Sequence, residues 1–200
     1  MDSSLRIQSD WFQARKKQED NAPGRADGRE TMPRVSAKWK LPVTGTFKLN
    51  VDASVYPGTN AFAVGMVLRN DTGNFMEART YKYSGEVSVV EAETIGVREA
   101  LSWIKELRMQ DEEITVESDS HITVNAIQKI CTNYLEVGEI VEECKQILSS
   151  LNRVSVVFIR KNANRVAHEV ARIPCLVNSY NVFTSPPTCL LEALAYDVLI

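Results

Sequence analysis

Alternating apolar and polar residues predict three consecutive strands in the first half of the chain. In residues 46–52 every second residue is apolar, which is typical of a half-buried strand that ends with Asp52 on its polar face. Residues 61–70 and 75–83 form two further predicted strands, and the turn from Asp71 to Gly73 between them indicates an antiparallel hairpin.

After residue 88 the apolar pattern changes from a period of two to a helical period that continues to residue 109. Ser88, with Glu91 three residues later, predicts the N-terminus of this helix. The other predicted elements are strands over residues 114–119 and 154–159 and helices over residues 120–130, 135–151 and 164–173. The order β-β-β-α-β-α-α-β-α indicates an α/β fold with a five-stranded mixed sheet flanked by helices.

The first residues of the chain differ from the rest in composition and charge. Residues 1–36 show no sustained apolar period, so we predict a flexible tail there and one domain over residues 37–200 with a C-terminal extension. Residues 1–40 hold nine Lys and Arg and six Asp and Glu, which leaves 14 and 20, a net charge of −6, for the remainder. Tight phosphate binding needs a basic surface. We therefore expect contact with nucleic acid to be local or metal-mediated.

Neither a membrane protein nor a zinc protein is indicated. No signal peptide pattern begins the chain, and the longest apolar run, residues 61–68, is too short to span a bilayer. The four cysteines include no C-x-x-C pair, and only two histidines accompany them. We expect an intracellular monomer, in the nucleus or the cytoplasm, with no membrane partner.

Three acidic residues are candidates for one metal site. Asp52 and Asp119 end the first and fourth predicted strands, where α/β sheets tend to place their sites. At about 100° per residue, Glu93 faces inward with the apolar stripe of its helix, whereas Glu91 points away. Each acid alone has an ordinary explanation, as a turn former or a stabiliser of a helix N-terminus. Together they would repel unless a cation holds them, and their oxygen ligands suit Mg²⁺ or Mn²⁺.

An ordered series of motifs over residues 38–198 resembles the type 1 ribonuclease H superfamily, in the plant form related to retroelement reverse transcriptases. Residues 39–52 are similar to that family's motif W-x-x-P-x-x-G-x-x-K-x-N-x-D. The other matching segments are residues 65–69, 71–73, 91–93, 97–101, 117–120, 160–171, 186–187 and 190–197. The ordered series is much more specific than any one fragment.

The resemblance implies a ribonuclease H-like fold and an endonuclease that hydrolyses the RNA strand of RNA/DNA hybrids. In that family, acids on the first strand, the first helix and the end of the fourth strand bind two Mg²⁺ ions, and the matching residues are Asp52, Glu93 and Asp119. One ion lowers the pKa of the attacking water, and the other stabilises charge on the leaving oxygen. The family's fourth acid, in the motif N-x-x-A-D-x-L-A, is matched here by His168.

His168 leaves the activity open at the level of the sequence. An imidazole ligates Mn²⁺ acceptably and Mg²⁺ poorly, so His168 is either a catalytic residue or a helix residue that hydrogen-bonds a neighbouring acid. Arg160, Lys161 and Arg165 are candidates for holding a nucleic-acid backbone, and the alternative for them is a solvated start of a helix.

Three hypotheses of function follow. The first is a metal-dependent ribonuclease acting on RNA/DNA hybrids, with structured RNA as another possible partner. The second is a catalytically weakened or inactive module that binds nucleic acid or protein through the same fold. The third is a partner-binding adaptor with an apolar face at residues 190–195, for which the simpler interpretation is packing against its own domain.

Overall fold

The computed structural model describes residues 38–129 and 137–198, so the predicted tail and residues 130–136 lie outside the described residues. The strands are β1 (Phe47–Tyr56), β2 (Ala61–Arg69), β3 (Phe75–Ser84), β4 (Ile114–Ser118), β5 (Val154–Phe158) and β6 (Ser179–Phe183). The helices are α1 (Val89–Glu106), α2 (His121–Gln128), α3 (Gly138–Ser149), α4 (Arg165–Ala171) and α5 (Leu191–Val198). Short 3₁₀ turns at Lys161–Ala163 and Thr188–Leu190 precede α4 and α5.

The strands form one mixed sheet with the order β5-β4-β1-β2-β3-β6. Pairing is antiparallel from β1 through β2 and β3 to β6, and parallel between β1, β4 and β5. The α/β class and the mixed sheet are confirmed, but the prediction of five strands is wrong because β6 is a sixth. β6 is five residues long and pairs with β3, a distant part of the chain. A local pattern does not report such a pairing.

Helix α1 packs on one face of the sheet and closes the larger hydrophobic core. Ser88 caps it as predicted, since the Ser88 side chain accepts a hydrogen bond of 3.2 Å from the Glu91 backbone N–H. The fully buried residues of this core include Leu49, Val51, Val64, Met66, Leu101 and Ile104. The position of α1 is therefore determined by its apolar stripe.

Helices α4 and α5 pack on the opposite face around a smaller core that includes Val67, Ala78, Val166, Val170, Leu190 and Ala193. Gly65 on β2 permits the approach of α4, because a Cβ atom there would lie 2.6 Å from the Ala167 carbonyl oxygen. In α5 and the turn before it, Leu190 and Ala193 are buried, whereas Leu191 is 50% exposed. This face packs against the sheet of its own domain, in agreement with the simpler interpretation.

Strand β1 differs from its prediction in two ways that matter for the site. It continues to Tyr56, so Asp52 lies within the strand and does not end it. The face expected to be polar and solvated is covered by α4, and Asn50 and Asp52 are 0% and 3% exposed. Residues 49–52 of the strand are thus buried on both faces, with polar side chains on one of them. In the described part of the chain, no helix combines the length and apolar character needed to cross a membrane.

Candidate metal centre

Carboxylates from three separate elements of the fold lie close together. Asp52 projects from β1, Glu93 from the N-terminal part of α1, and Asp119 from the residue directly after β4. One carboxylate oxygen of each residue lies within 4.8 Å of those of the other two. The structure therefore brings together the three acids that were selected from the sequence, and their metal-binding role stays a prediction.

The three acids repel one another in a poorly hydrated environment. Burial raises the pKa of Asp52 to about 6, and the charge of Asp119 adds to this effect, whereas the hydrogen bond with His168 opposes it. Burial, and then the charges of Asp52 and Asp119, raise the pKa of Glu93 well above its usual range. Such a cluster holds protons or needs a positive charge to remain ionised near pH 7.

The donor atoms of the cluster fit a divalent cation with oxygen ligands. The Oε2 atom of Glu93 is buried and accepts no hydrogen bond from any residue between 38 and 129 or 137 and 198. A buried carboxylate oxygen without a partner is costly, and an ion placed among the three acids would satisfy it. All the donors are carboxylate oxygens, which are preferred by Mg²⁺ and Mn²⁺.

His168 on α4 lies directly beside this cluster. Its Nδ1 atom is 2.9 Å from Oδ2 of Asp52, and the two form an ion pair when the imidazole is protonated. That hydrogen bond is the main cause that raises the pKa of His168, and burial opposes it. Of the two interpretations of His168, the contact with a neighbouring acid is the one seen in this structure. A catalytic role for His168 remains a prediction.

Asn164 is a site residue that sequence reasoning missed. It is 1% exposed, and its Nδ2 atom donates to Oδ1 of Asp119 at 3.0 Å and to the Val51 carbonyl oxygen at 2.8 Å. The motif series included Asn164 without giving it a role. The available signal was its position four residues before His168, one helical turn away.

The three basic candidates differ in their surroundings. Lys161 and Arg165 line a cleft of about 260 Å³ together with Asn162, His168 and Tyr196. Arg160 is exposed next to Lys161 and is not among the residues that line this cleft. Arg165 is partly neutralised by Glu192, whose Oε1 atom lies 2.9 Å from Nη2.

Tyr196 is a second residue that sequence reasoning missed at this site. It lies on α5, and the charged groups of Lys38 and Arg165 lie 5.0 Å and 5.9 Å from the centre of its ring. The cleft therefore joins the C-terminal helix to the carboxylate cluster, with His168 in contact with both. By contrast, the other histidine, His121, is exposed at the start of α2 and bonds Asn125.

Comparison with solved structures supports the same fold. Ribonuclease H1 from Halobacterium salinarum matches with a TM-score of 0.55 and 18% identity, covering 64% of this chain and 95% of that chain. The N-terminal ribonuclease H domain of a Mycobacterium tuberculosis protein gives 0.55 and 14% identity, with coverage of 76% and 97%. A ribonuclease H1 isolated from compost, solved with an RNA/DNA hybrid, gives 0.55 and 18% identity, with coverage of 62% and 93%.

Comparison at the level of sequence identifies the family. No curated protein matches the chain significantly. The family described as reverse transcriptase-like matches residues 50–173, which include Asp52, Glu93, Asp119 and His168. Because this match covers more than half of the 200 residues and the structure has a ribonuclease H-like fold, the chain belongs to the reverse transcriptase-like family.

Proposed function

We propose that this protein is a divalent-metal-dependent endonuclease that hydrolyses the RNA strand of RNA/DNA hybrids. The observation that carries the proposal is the cluster of Asp52, Glu93 and Asp119, whose carboxylate oxygens lie within 4.8 Å of one another. The ribonuclease H-like fold supports it, as does the solved complex of a structural neighbour with an RNA/DNA hybrid.

In the proposed mechanism the carboxylates of Asp52, Glu93 and Asp119 would hold two Mg²⁺ or Mn²⁺ ions. When bound, the ions supply the charge that activates a water molecule and stabilises the leaving oxygen. Asp52 and Glu93 provide buried ligands that water hydrates poorly. Asp119 is held by Asn164, which donates to one of its oxygens at 3.0 Å. The site therefore presents ligands whose positions are set before substrate binds.

The direct test is incubation of the purified chain with a labelled RNA/DNA hybrid in Mg²⁺, in Mn²⁺ and in EDTA. Cleavage of the RNA strand only when a metal is present, with double-stranded DNA left intact, is the expected result. No cleavage with either metal would contradict the enzyme proposal. Hybrid binding that persists in EDTA would then favour the second candidate function.

That second candidate is a binding module without turnover, and the contact between His168 and Asp52 favours it. The protonated imidazole neutralises a carboxylate that the cation would need, because Nδ1 and Oδ2 lie 2.9 Å apart. The raised pKa of His168 keeps this positive charge in place at higher pH than for a free histidine. His168 thus competes with a cation for Asp52.

Replacement of His168 by aspartate is expected to raise Mg²⁺-dependent cleavage about tenfold, which corresponds to about 1.4 kcal/mol of transition-state stabilisation. The change removes the competing cation and adds a carboxylate next to Asp52. The rate of hybrid cleavage under single-turnover conditions measures it. His121→Asp is the matched control because His121 is exposed and bonds Asn125. An unchanged rate in His168→Asp would show that His168 does not limit metal use.

We also propose that the backbone of the hybrid crosses the cleft beside His168. Lys161 is exposed, and its positive charge lowers the pKa of both Glu93 and His168, so its field reaches the carboxylate site. Arg165 lines the same cleft but shares its charge with Glu192. Arg160 lies next to Lys161 in the chain and would extend the contact with phosphates along the nucleic-acid strand. The three basic residues form a small group on an otherwise acidic domain, which agrees with the expectation of a local contact with nucleic acid.

Lys161→Ala is therefore expected to weaken hybrid binding. It should also reduce by about one the slope of the logarithm of the binding constant against the logarithm of the salt concentration. Arg165→Ala should have the smaller effect, because Glu192 already neutralises part of its charge. Fluorescence anisotropy in EDTA at several salt concentrations measures both. Lys105→Ala is the control, since exposed Lys105 lies about 18 Å along α1 from Glu93. Equal slopes for Lys161→Ala and Lys105→Ala would remove Lys161 from the interface.

The origin and setting of the protein belong to the same proposal. The ordered motifs support a plant protein derived from a retroelement, and we propose that it is a monomer. We place its action inside the cell, in the nucleus or the cytoplasm, where RNA/DNA hybrids form. Gel filtration of the purified chain tests the monomer.

A further inference from the structure

A buried ion pair ties the C-terminal helix to the middle of the sheet. Nη1 of Arg69 on β2 lies 2.7 Å from Oδ2 of Asp197 on α5, and the two side chains are 1% and 0% exposed. The ring of Trp39 covers the guanidinium at 3.3 Å from its centre. A series of hydrogen bonds connects this pair to one acid of the metal site, Asp119.

The connection runs through two asparagines. Nη2 of Arg69 donates to Oδ1 of Asn50 at 2.8 Å, and Nδ2 of Asn50 donates to Oδ1 of Asn164 at 3.3 Å. Nδ2 of Asn164 then donates to Oδ1 of Asp119 at 3.0 Å. Nδ2 of Asn50 also donates to Oε2 of Glu117 at 2.9 Å. Each amide therefore has partners for its oxygen and for both hydrogens of its nitrogen.

The partners at the ends of this network determine which way each amide points. A guanidinium can only donate, so Asn50 must turn its oxygen to Arg69 and its nitrogen to Asn164. The Val51 carbonyl oxygen and the Asp119 carboxylate can only accept, so Asn164 must turn its nitrogen to them. If Asn50 were reversed, its nitrogen would face the nitrogens of Arg69. The hydrogen bond from Arg69 and the two acceptors of Asn164 thus require the same orientation of the connected amides, so the network holds Asn164 against Asp119.

We propose that Arg69 and Asp197 are positioning residues of the metal site, which orient Asp119 through Asn50 and Asn164. This inference rests on the metal site of the proposed function. It makes the C-terminal helix α5 part of the support of that site. Asn164 is the residue of this network that contacts the metal site. It donates to one oxygen of the Asp119 carboxylate and leaves the other oxygen available to a cation.

The free energy lost by burying this ion pair indicates that the pair does more than stabilise the fold. Nε of Arg69 and Oδ1 of Asp197 are buried and have no hydrogen-bond partner in residues 38–129 and 137–198. Burial is also the main cause that raises the pKa of Asp197, against the effect of Arg69. Apolar residues of similar size often stabilise a core as well as such a pair does. Apolar residues, however, cannot orient hydrogen-bond acceptors, whereas the guanidinium group of Arg69 holds two acceptors in fixed directions.

The test follows the side-chain amide of Asn164 and the affinity for Mg²⁺ in the full chain. Asp197→Asn removes the charge that anchors Arg69 at almost constant size, and Arg69→Lys keeps the charge but loses the fork. Asp111→Asn is the matched control, because Asp111 is exposed on another part of the surface. Proton–nitrogen NMR reports the Asn164 amide signals without metal, and a Mg²⁺ titration of the same samples gives the affinity. Thermal unfolding is recorded for every variant.

We expect Asp197→Asn and Arg69→Lys to shift the Asn164 amide signals and to weaken Mg²⁺ binding about tenfold, which is typical for residues that support metal ligands. Asp111→Asn should change neither. Lower unfolding temperatures with unchanged amide signals and unchanged Mg²⁺ affinity would overturn the inference and leave the pair a structural brace. If the unsubstituted chain binds no Mg²⁺, the proposed function fails and the inference fails with it. If one variant does not fold, the other decides the question by the same readouts.

Discussion

Asp52→Asn is expected to abolish metal-dependent cleavage of an RNA/DNA hybrid. A carboxylate oxygen of Asp52 lies within 4.8 Å of one from each of the other two acids, and Asp52 is the acid that also bonds His168. The amide keeps the size of the side chain but removes a negative ligand, which costs about 4 kcal/mol or about 1,000-fold in rate. Single-turnover cleavage in Mg²⁺ and in Mn²⁺ measures the loss.

Two comparisons make this result specific to the metal site. Asp111→Asn makes the same chemical change at an exposed aspartate and should leave the rate unchanged. Binding of the hybrid in EDTA should be nearly the same for Asp52→Asn and the unsubstituted chain, because the cleft beside His168 is retained. Cleavage by Asp52→Asn at the original rate would show that another site carries out the reaction.

Without metal, the stability of the protein is expected to fall as the pH rises from about 4 to 8. The pKa of Asp52 is raised from 3.8 to about 6, so the folded state binds the proton more tightly than the unfolded state. This contribution is complete below about pH 4 and is lost as the pH rises through about 6, and it amounts to about 3 kcal/mol. The raised pKa of Glu93, caused first by burial, acts in the same direction.

His168 changes the stability with pH in the same direction as Asp52 and Glu93, although it is a base. Its pKa is raised from 6.5 by the hydrogen bond with Asp52, so its contribution is present below that value and lost as the pH rises through its folded pKa. A cation should reverse the loss because it binds the ionised site. At 100 times its dissociation constant, Mg²⁺ adds about 2.7 kcal/mol, or roughly 5–10 °C in unfolding temperature for a domain of this size.

Thermal unfolding between pH 4 and 8, in EDTA and in Mg²⁺, measures both effects. Asp52→Asn provides the control, since it should flatten the pH dependence between 4 and 6 and reduce the gain from Mg²⁺. Stability that rises with pH in EDTA would contradict the assignment of raised pKa values to these acids. The expected pH dependence without any rise in unfolding temperature from Mg²⁺ or Mn²⁺ would support the second candidate function, a binding module without turnover.

The sequence was sufficient for the parts of the fold that depend on local periodicity. Helical spacing placed Glu93 on the inner side of α1 and Glu91 away from it, and Glu93 is buried as that spacing requires. The Ser88 cap was visible for the same reason, since a cap involves residues three positions apart. The ordered motifs added the family and brought Asp52, Glu93 and Asp119 together as candidates.

The sequence was less informative where residues are polar but buried. Alternation along β1 marks Asn50 and Asp52 as polar and therefore predicts a solvated face, whereas α4 covers that face. The covering depends on the absence of a side chain at Gly65, which lies opposite Asp52 on β2. Strand β6 was missed in a similar way, because its pairing with β3 is a contact between distant segments.

By itself, the sequence determined the α/β class, strands β1 to β5, helices α1 to α4 and the three acids, because each follows from the spacing of neighbouring residues or from an ordered motif. Only the tertiary structure decided that His168 contacts Asp52, that Tyr196 borders the cleft and that Arg69 and Asp197 reach Asp119 through two asparagines. These contacts join residues that are far apart in the chain. Their distances and directions are set by the packing of α4 and α5 on the sheet, which no local pattern contains.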